Sequence, residues 1–379
     1  MTLSNSDIAE LTAFRRDLHR HPELSGEESE TARRVLAALA PDTVLSGLGG
    51  HGIAAVFAGA APGPTVLFRA EIDALPIQEL SDAPHCSGSP GKGHLCGHDG
   101  HSAILVGLAR LLSRRRPARG RVVLMFQPAE ETGAGAAAVI ADPGFEPVTP
   151  DIAFSLHNMP GLPLGHVGLI SGPVNCASRG VSMRFTGKSA HASEPENGTS
   201  PMGALSDLMP ALTALSQGST QDADFTLVTV THAAMGTPAF GIAPGDATLY
   251  ATLRTLTDDR MSALCDTALG LMQGAAARHG LSVEHDFHDV FVHCDNHPEA
   301  TARLQAALDA LGISHDASGL PMRASEDFGR FGHGAQSAML FLGAGRSHAA
   351  LHNPDYDFPD DLIPIGTRIF SQVARDLLG

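Results

Sequence analysis

Arg121-Val122-Val123-Leu124-Met125-Phe126-Gln127-Pro128-Ala129-Glu130-Glu131-Thr132-Gly133 runs from an unbroken apolar segment into two adjacent carboxylates. Residues 122–126 show no polar alternation, so a strand here is expected to be buried on both faces. Residues 53–57, 65–69 and 152–156 are similar short β-rich runs, and helical patterns lie between several of them. Such alternation implies an α/β fold whose sheet is covered by helices. The ends of these runs are polar in a consistent way: Asp73 follows the 65–69 run and His157-Asn158 ends the 152–156 run. Functional groups gather at the carboxyl ends of strands in open α/β sheets. Glu130 and Glu131 can also be explained more plainly, as carboxylates favoured at a helix N-terminus.

Upstream, Ser4 or Ser6 is placed to cap a first helix, and Ser25 with Glu28 has the spacing of a capping box for a second. Around residues 172–180 the pattern changes. Val181, Met183 and Phe185 alternate with polar residues, as in a half-exposed strand. A helix over 201–212, strands at 225–230 and 247–254, a helix over 258–278 and a strand holding Leu281, Val283 and Phe287 complete the order β-α-β-β-α-β. This is the ferredoxin-like arrangement. After about residue 290 the α/β pattern resumes, with a helix over 298–311, a strand at 338–342 and a terminal helix from about 361. The chain of 379 residues is long for a single core. The expected architecture is a discontinuous catalytic domain, 1–175 and 290–379, with a mixed sheet, interrupted by a smaller βαββαβ domain over 176–289.

The formal net charge of −16 argues against nucleic-acid or anionic-membrane partners. Arg114, Arg115, Arg116, Arg119 and Arg121 form one basic cluster, which is read as a solvated helix end. Five irregularly spaced cysteines do not suggest a disulfide framework, and no apolar run is long enough for a membrane span. A cytoplasmic location is expected.

The densest chemical signal is His94-Leu95-Cys96-Gly97-His98-Asp99-Gly100-His101. Cys96 and His98, one glycine apart, can reach a common point from a tight loop. Thiolate and imidazole together suit a borderline-soft divalent ion. Asp99 is a candidate to hold a ligand histidine in its tautomer. Taken singly, each of these residues is as well explained as helix-start polarity. Ser325-Glu326-Asp327-Phe328 passes alone for a helix cap, and His352 for a solvated loop histidine.

Together with Leu18–Leu24, the 69–78 segment, Gly187–Ala192 and Leu351–Pro354, these motifs resemble the hippurate hydrolase branch of the aminoacylase/carboxypeptidase-G metallopeptidase family. The resemblance runs nearly end to end. It implies that Cys96, His98, Glu131, His157 and His352 hold two divalent ions per subunit, of manganese, zinc, cobalt or nickel. It also implies that Glu130 is the general base and that Asp73 orients a ligand. His191, in the inserted domain, would stabilise the developing oxyanion, and that domain would serve as a dimerisation or lid unit in a homodimer. Arg254 would grip a substrate carboxylate.

Two departures from the pattern stand out. Glu71 replaces the usual aspartate near the site edge, and the segment around Gly241 lacks the asparagine that helps relatives bind substrate. The expected reaction is hydrolysis of an N-acyl amino acid (N-acetyl, N-benzoyl or similar). The alternatives are a dipeptidase or carboxypeptidase built on the same centre, and a non-catalytic metal-dependent binding protein.

Overall fold

Each apolar run becomes a strand: Gly52–Ala58, Thr65–Glu71, Arg121–Gln127 and Ile152–Pro160. The computed structural model describes residues 2–379, which divide into two units. The larger comprises the residues up to Val174 together with Cys294–Leu320 and Asp327–Gly379. Its sheet takes the order Thr43–Leu48, Gly52–Ala58, Arg121–Gln127, Thr65–Glu71, Ile152–Pro160, Gln336–Gly345, Val167–Gly168 and His315–Asp316. The central strands are parallel: Thr65–Glu71 pairs with Arg121–Gln127 and Ile152–Pro160, and Gln336–Gly345 pairs with Ile152–Pro160. The flank Thr43–Leu48, Gly52–Ala58 is antiparallel, so the sheet is mixed.

Every residue of Thr65–Glu71 is buried, which requires cover on both faces of the sheet. The helix His98–Arg114 is buried along its first three turns and packs against Asn5–Arg20, Leu362–Leu378 and the strand Thr65–Glu71. A helix apolar almost all round can be stable only in such an interior position. The Arg114–Arg121 cluster is paired locally: Arg114 bonds Asp7 at 2.5 Å and Arg116 bonds Asp42 at 2.7 Å.

The smaller unit comprises Asn175–His293 and Pro321–Glu326. Its four antiparallel strands run in the order Thr226–Met235, Asp246–Thr255, Ala177–Thr186 and Ser282–Phe291. The helices Met202–Thr213 and Asp258–Arg278 pack with them around Val181, Met183, Phe185, Leu249, Leu253, Met261 and Met272. Burial alternates along Asp246–Thr255, as it must when one face of a sheet meets a core and the other does not. The βαββαβ topology follows the sequence pattern.

Two boundaries differ from the sequence reading. The last strand runs to Phe291, past the expected edge at 289. Residues 321–326 join the smaller unit because Cys176 N donates to the Ala324 carbonyl at 3.1 Å and Arg254 bonds the same segment. The expected capping box at Ser25 does not form. The second helix, Ser29–Ala37, starts without a side-chain cap, and Ser25 and Glu28 turn inward to other partners.

Candidate metal centre

In the larger unit, the loops that leave the parallel strands converge. Gly97, at φ +96°, makes the tight turn that starts the helix His98–Arg114 and separates Cys96 from His98. Cys96 Sγ lies 3.4 Å from His157 Nε2 at the end of Ile152–Pro160. The strand Arg121–Gln127 ends in Pro128-Ala129, and Ala129 takes φ +52°, a conformation rare for a side chain with a Cβ. Its N–H donates to Glu28 Oε1 at 2.8 Å, which holds the bend that presents Glu130 and Glu131. His352 has φ +65°, and its N–H donates to the Leu95 carbonyl at 2.8 Å. Two strained non-glycine residues thus bracket the site, where such strain tends to collect.

The histidine tautomers are set by what each Nδ1 bonds. His98 Nδ1 donates to the Asp73 carbonyl at 3.0 Å and to its carboxylate at 3.2 Å. His157 Nδ1 donates to the Asn158 carbonyl at 2.8 Å. Both rings therefore turn Nε2 inward. His98 Nε2 is buried with no hydrogen-bond partner among the described residues, 3.8 Å from a carboxylate oxygen of Glu130 and of Glu131. His352 Nε2 lies 3.6 Å from Glu131. Cys96, His98 and His157 have donor atoms within 4.8 Å of one another; so do Cys96, Glu131 and His352, and so do His98, Glu130 and Glu131. A buried ring nitrogen without a partner, amid thiol, imidazole and carboxylate groups, is what a divalent cation would satisfy. The donor set fits two of them. Cys96, His98 and Glu131 each belong to two of these three groups, so the groups form one connected centre.

Burial alone would lower the His98 pKa, but the hydrogen bond and charge of Asp73 raise it to about 9. Burial pushes the Asp73 carboxyl up, and His98, Ser25 and the Glu131 N–H together hold it below its usual range. Burial and the His98 charge keep the His352 ring easily deprotonated. The two glutamates and Asp73 gather negative charge around these largely buried rings, which favours a cation there.

A second layer lies beneath these groups. His101 is buried and donates from Nδ1 to Glu71 at 2.6 Å, and its Nε2 accepts from the Asn158 N–H at 3.1 Å. Glu71 is therefore no edge residue, as the sequence suggested. It is fully buried, paired with Arg69 and anchoring His101. Asp327 accepts from Arg69, from Gln127 Nε2 and from the Ala136 N–H, tying strand ends together. Asp99 does not serve His98 either. It turns to other partners, accepting from His19 Nδ1 at 2.8 Å beside Arg15. Ser25 donates to Asp73 at 2.7 Å and Glu28 holds the Ala129 N–H, roles that their capping-box spacing hides in the sequence.

His191, Gly241 and Arg254 belong to the smaller unit. His191 is exposed and pairs with Ile242 in a two-stranded ribbon, and the Ala192 N–H donates to the Gly241 carbonyl at 3.0 Å. The His191 ring is turned by Ser193 Oγ, 2.7 Å from Nδ1. Arg254 donates to the Arg323 carbonyl at 3.0 Å and to Ser325 Oγ at 2.9 Å.

The chain is 29% identical over 370 residues to an N-acetylcysteine deacetylase of Bacillus subtilis, covering 96% of each chain. It is 30% identical to an IAA-amino acid hydrolase of Arabidopsis thaliana, covering 97% of this chain and 86% of that one. The fold matches a solved dinuclear metal-binding peptidase of the M20 family from Bacillus subtilis with a TM-score of 0.83, at 27% identity and 99% coverage of both chains. The model of peptidase family M20/M25/M40 matches residues 67–376, and on this ground, with the strand-end centre described above, the chain belongs to that family.

Proposed function

We propose that this protein is a dinuclear metal-dependent amidohydrolase that releases a free amino acid from an N-acyl amino acid. The observation that carries this reading is the convergence of Cys96, His98, Glu130, Glu131, His157 and His352 around the unpartnered Nε2 of His98. Cys96, His98, Glu131, His157 and His352 would hold the cations. When bound, these would supply the Lewis acidity that makes water a nucleophile near neutral pH and draws charge from the amide carbonyl.

The remaining roles fall to this chain's own groups. Asp73 fixes the His98 tautomer. Glu130 is buried at the strand end and lies 3.8 Å from His98 Nε2. It takes the proton of the attacking water and returns it to the departing amine. His191, turned by Ser193, donates to the carbonyl oxygen as it gains charge. Arg254 binds the substrate carboxylate, and the segment at Gly241, beside His191, helps bind substrate. The smaller unit serves as a dimerisation or lid unit in a homodimer, and the protein works in the cytoplasm. Cys96 favours zinc or another of the softer ions, with manganese, cobalt and nickel as the other candidates.

The names of the deacetylase and amino acid hydrolase relatives support N-acyl amino acids over peptides. The test is parallel assay of N-acetyl and N-benzoyl amino acids and dipeptides, with zinc, manganese, cobalt or nickel added. Release of amino acid from the acyl substrates is expected. Turnover of dipeptides alone would replace this reading with a dipeptidase, and metal binding without turnover of either would point to a binding protein.

A further inference from the structure

Asn158 stands at a junction that the metal-ligand assignment does not use. Its side-chain Nδ2 donates to the Cys96 carbonyl at 2.7 Å and lies 3.1 Å from His101 Nε2. Its Oδ1 accepts from the Tyr356 hydroxyl. The orientation of this amide is forced. A carbonyl can only accept, so the NH2 group faces Cys96, the oxygen faces Tyr356, and the phenol must donate. Burial, with the nearby Asp99 charge, keeps that phenol protonated well above the usual range.

The amide is also packed against Gly97, since a Cβ there would lie 2.6 Å from Asn158 Nδ2. Asn158 and Tyr356 are both buried, with 1% and 0% of their surface exposed. The three contacts join three separate segments: Asn158 follows His157, Cys96 begins the Cys96-Gly97-His98 turn, and Tyr356 lies four residues beyond His352. The Tyr356 backbone N–H donates to the Asn353 carbonyl at 3.0 Å, which closes the turn that follows His352.

We propose that Tyr356 and Asn158 are coupled positioning residues that hold the Cys96–His98 turn ready for metal, an inference that rests on the ligand assignment above. Neither side chain is a ligand. Losing the phenol hydroxyl leaves Asn158 Oδ1 buried without its donor; the Cys96 carbonyl still sets which way the amide faces, but the amide is no longer held from its other end and its grip on Cys96 weakens. The cost then appears when the ligands must be ordered around the cation.

The test is zinc affinity, measured by competition with a chromophoric chelator, for wild type, Tyr356→Phe, Asn158→Ala and the double variant. The thiolate-to-cobalt charge-transfer band, assigned with Cys96→Ser, is recorded in parallel, and unfolding of each metal-free protein reports its fold. Tyr356→Phe is expected to bind zinc about tenfold more weakly, as removal of an outer-shell partner does. Its charge-transfer band should be altered, and its unfolding should remain cooperative. The double variant should lose no more affinity than the worse single variant, because the residues act through one another. If Tyr356→Phe does not fold, Asn158→Ala carries the test alone with the same expected weakening. Wild-type zinc affinity in Tyr356→Phe, or losses that add in the double variant, would overturn the proposal while leaving the metal centre intact. A wild-type chain that binds no zinc, cobalt, manganese or nickel would overturn the centre itself.

Discussion

Replacement of Glu130 by glutamine separates the two adjacent carboxylates more sharply than any other single change. The two side chains share a strand end and lie at equal distance, 3.8 Å, from His98 Nε2, yet they are assigned different work. Glu130→Gln should retain bound metal and lose turnover by about 10²–10⁴-fold, the usual contribution of a general base. Glu131→Gln should lose metal as well, measured by metal content after gel filtration. Metal loss in Glu130→Gln with turnover intact in Glu131→Gln would reverse the assignment. Cys96, His98 and the paired glutamates were legible in the sequence because unusual ligand types sit close together along the chain. Asn158, His101, Tyr356 and Ser25 were not, since each acquires its role only through partners distant in sequence. Asp99 shows the same limit: although adjacent to His98 in sequence, it faces His19 and Arg15 instead.

At the scale of elements, unbroken apolar runs predicted buried strands and alternation predicted the one-sided sheet of the smaller unit, because burial imposes those periods directly. The sequence held no comparable signal for the ties between elements. Arg69 is the clearest case: it lies in a buried strand, paired with Glu71 of the same strand and with Asp327, distant in sequence. Arg69→Met removes the cation that these two buried carboxylates share. It should destabilise the metal-free protein by about 3–5 kcal/mol, measured by urea unfolding. A loss under about 1 kcal/mol would show that His101 and Gln127 suffice without the guanidinium. Gly97 gives a second prediction at this scale. Alanine there combines positive φ with a Cβ 2.6 Å from Asn158 Nδ2, so Gly97→Ala should weaken zinc binding more than Gly91→Ala, whose Cβ meets nothing within 4 Å. Equal effects at the two glycines would leave backbone strain as the whole cause.

For the molecule as a whole, the buried group at His19 gives stability a pH signature. Burial lowers its pKa, but Asp99 and Glu79 more than offset this and raise it to about 10 from an unfolded value of 6.5. The folded chain therefore holds a proton that the unfolded chain has lost between these limits. The contribution is complete below about pH 6.5 and disappears as pH rises toward 10. His94 acts in the other direction: burial lowers its pKa to about 4, so its contribution is present above 6.5 and falls away as pH drops. Unfolding of metal-free protein across pH 6.5–10 should show a loss of stability that His19→Asn removes; parallel curves for the two proteins would contradict the pairing.

The account stands most directly on metal content joined to activity. Purified protein loaded with zinc and passed through a desalting column should carry two ions per chain by plasma mass spectrometry. It should release free amino acid from an N-acyl amino acid, lose that activity on chelation, and regain it when the ion is restored. A chain that carries no ion, or whose amidohydrolase activity survives complete chelation, would contradict it.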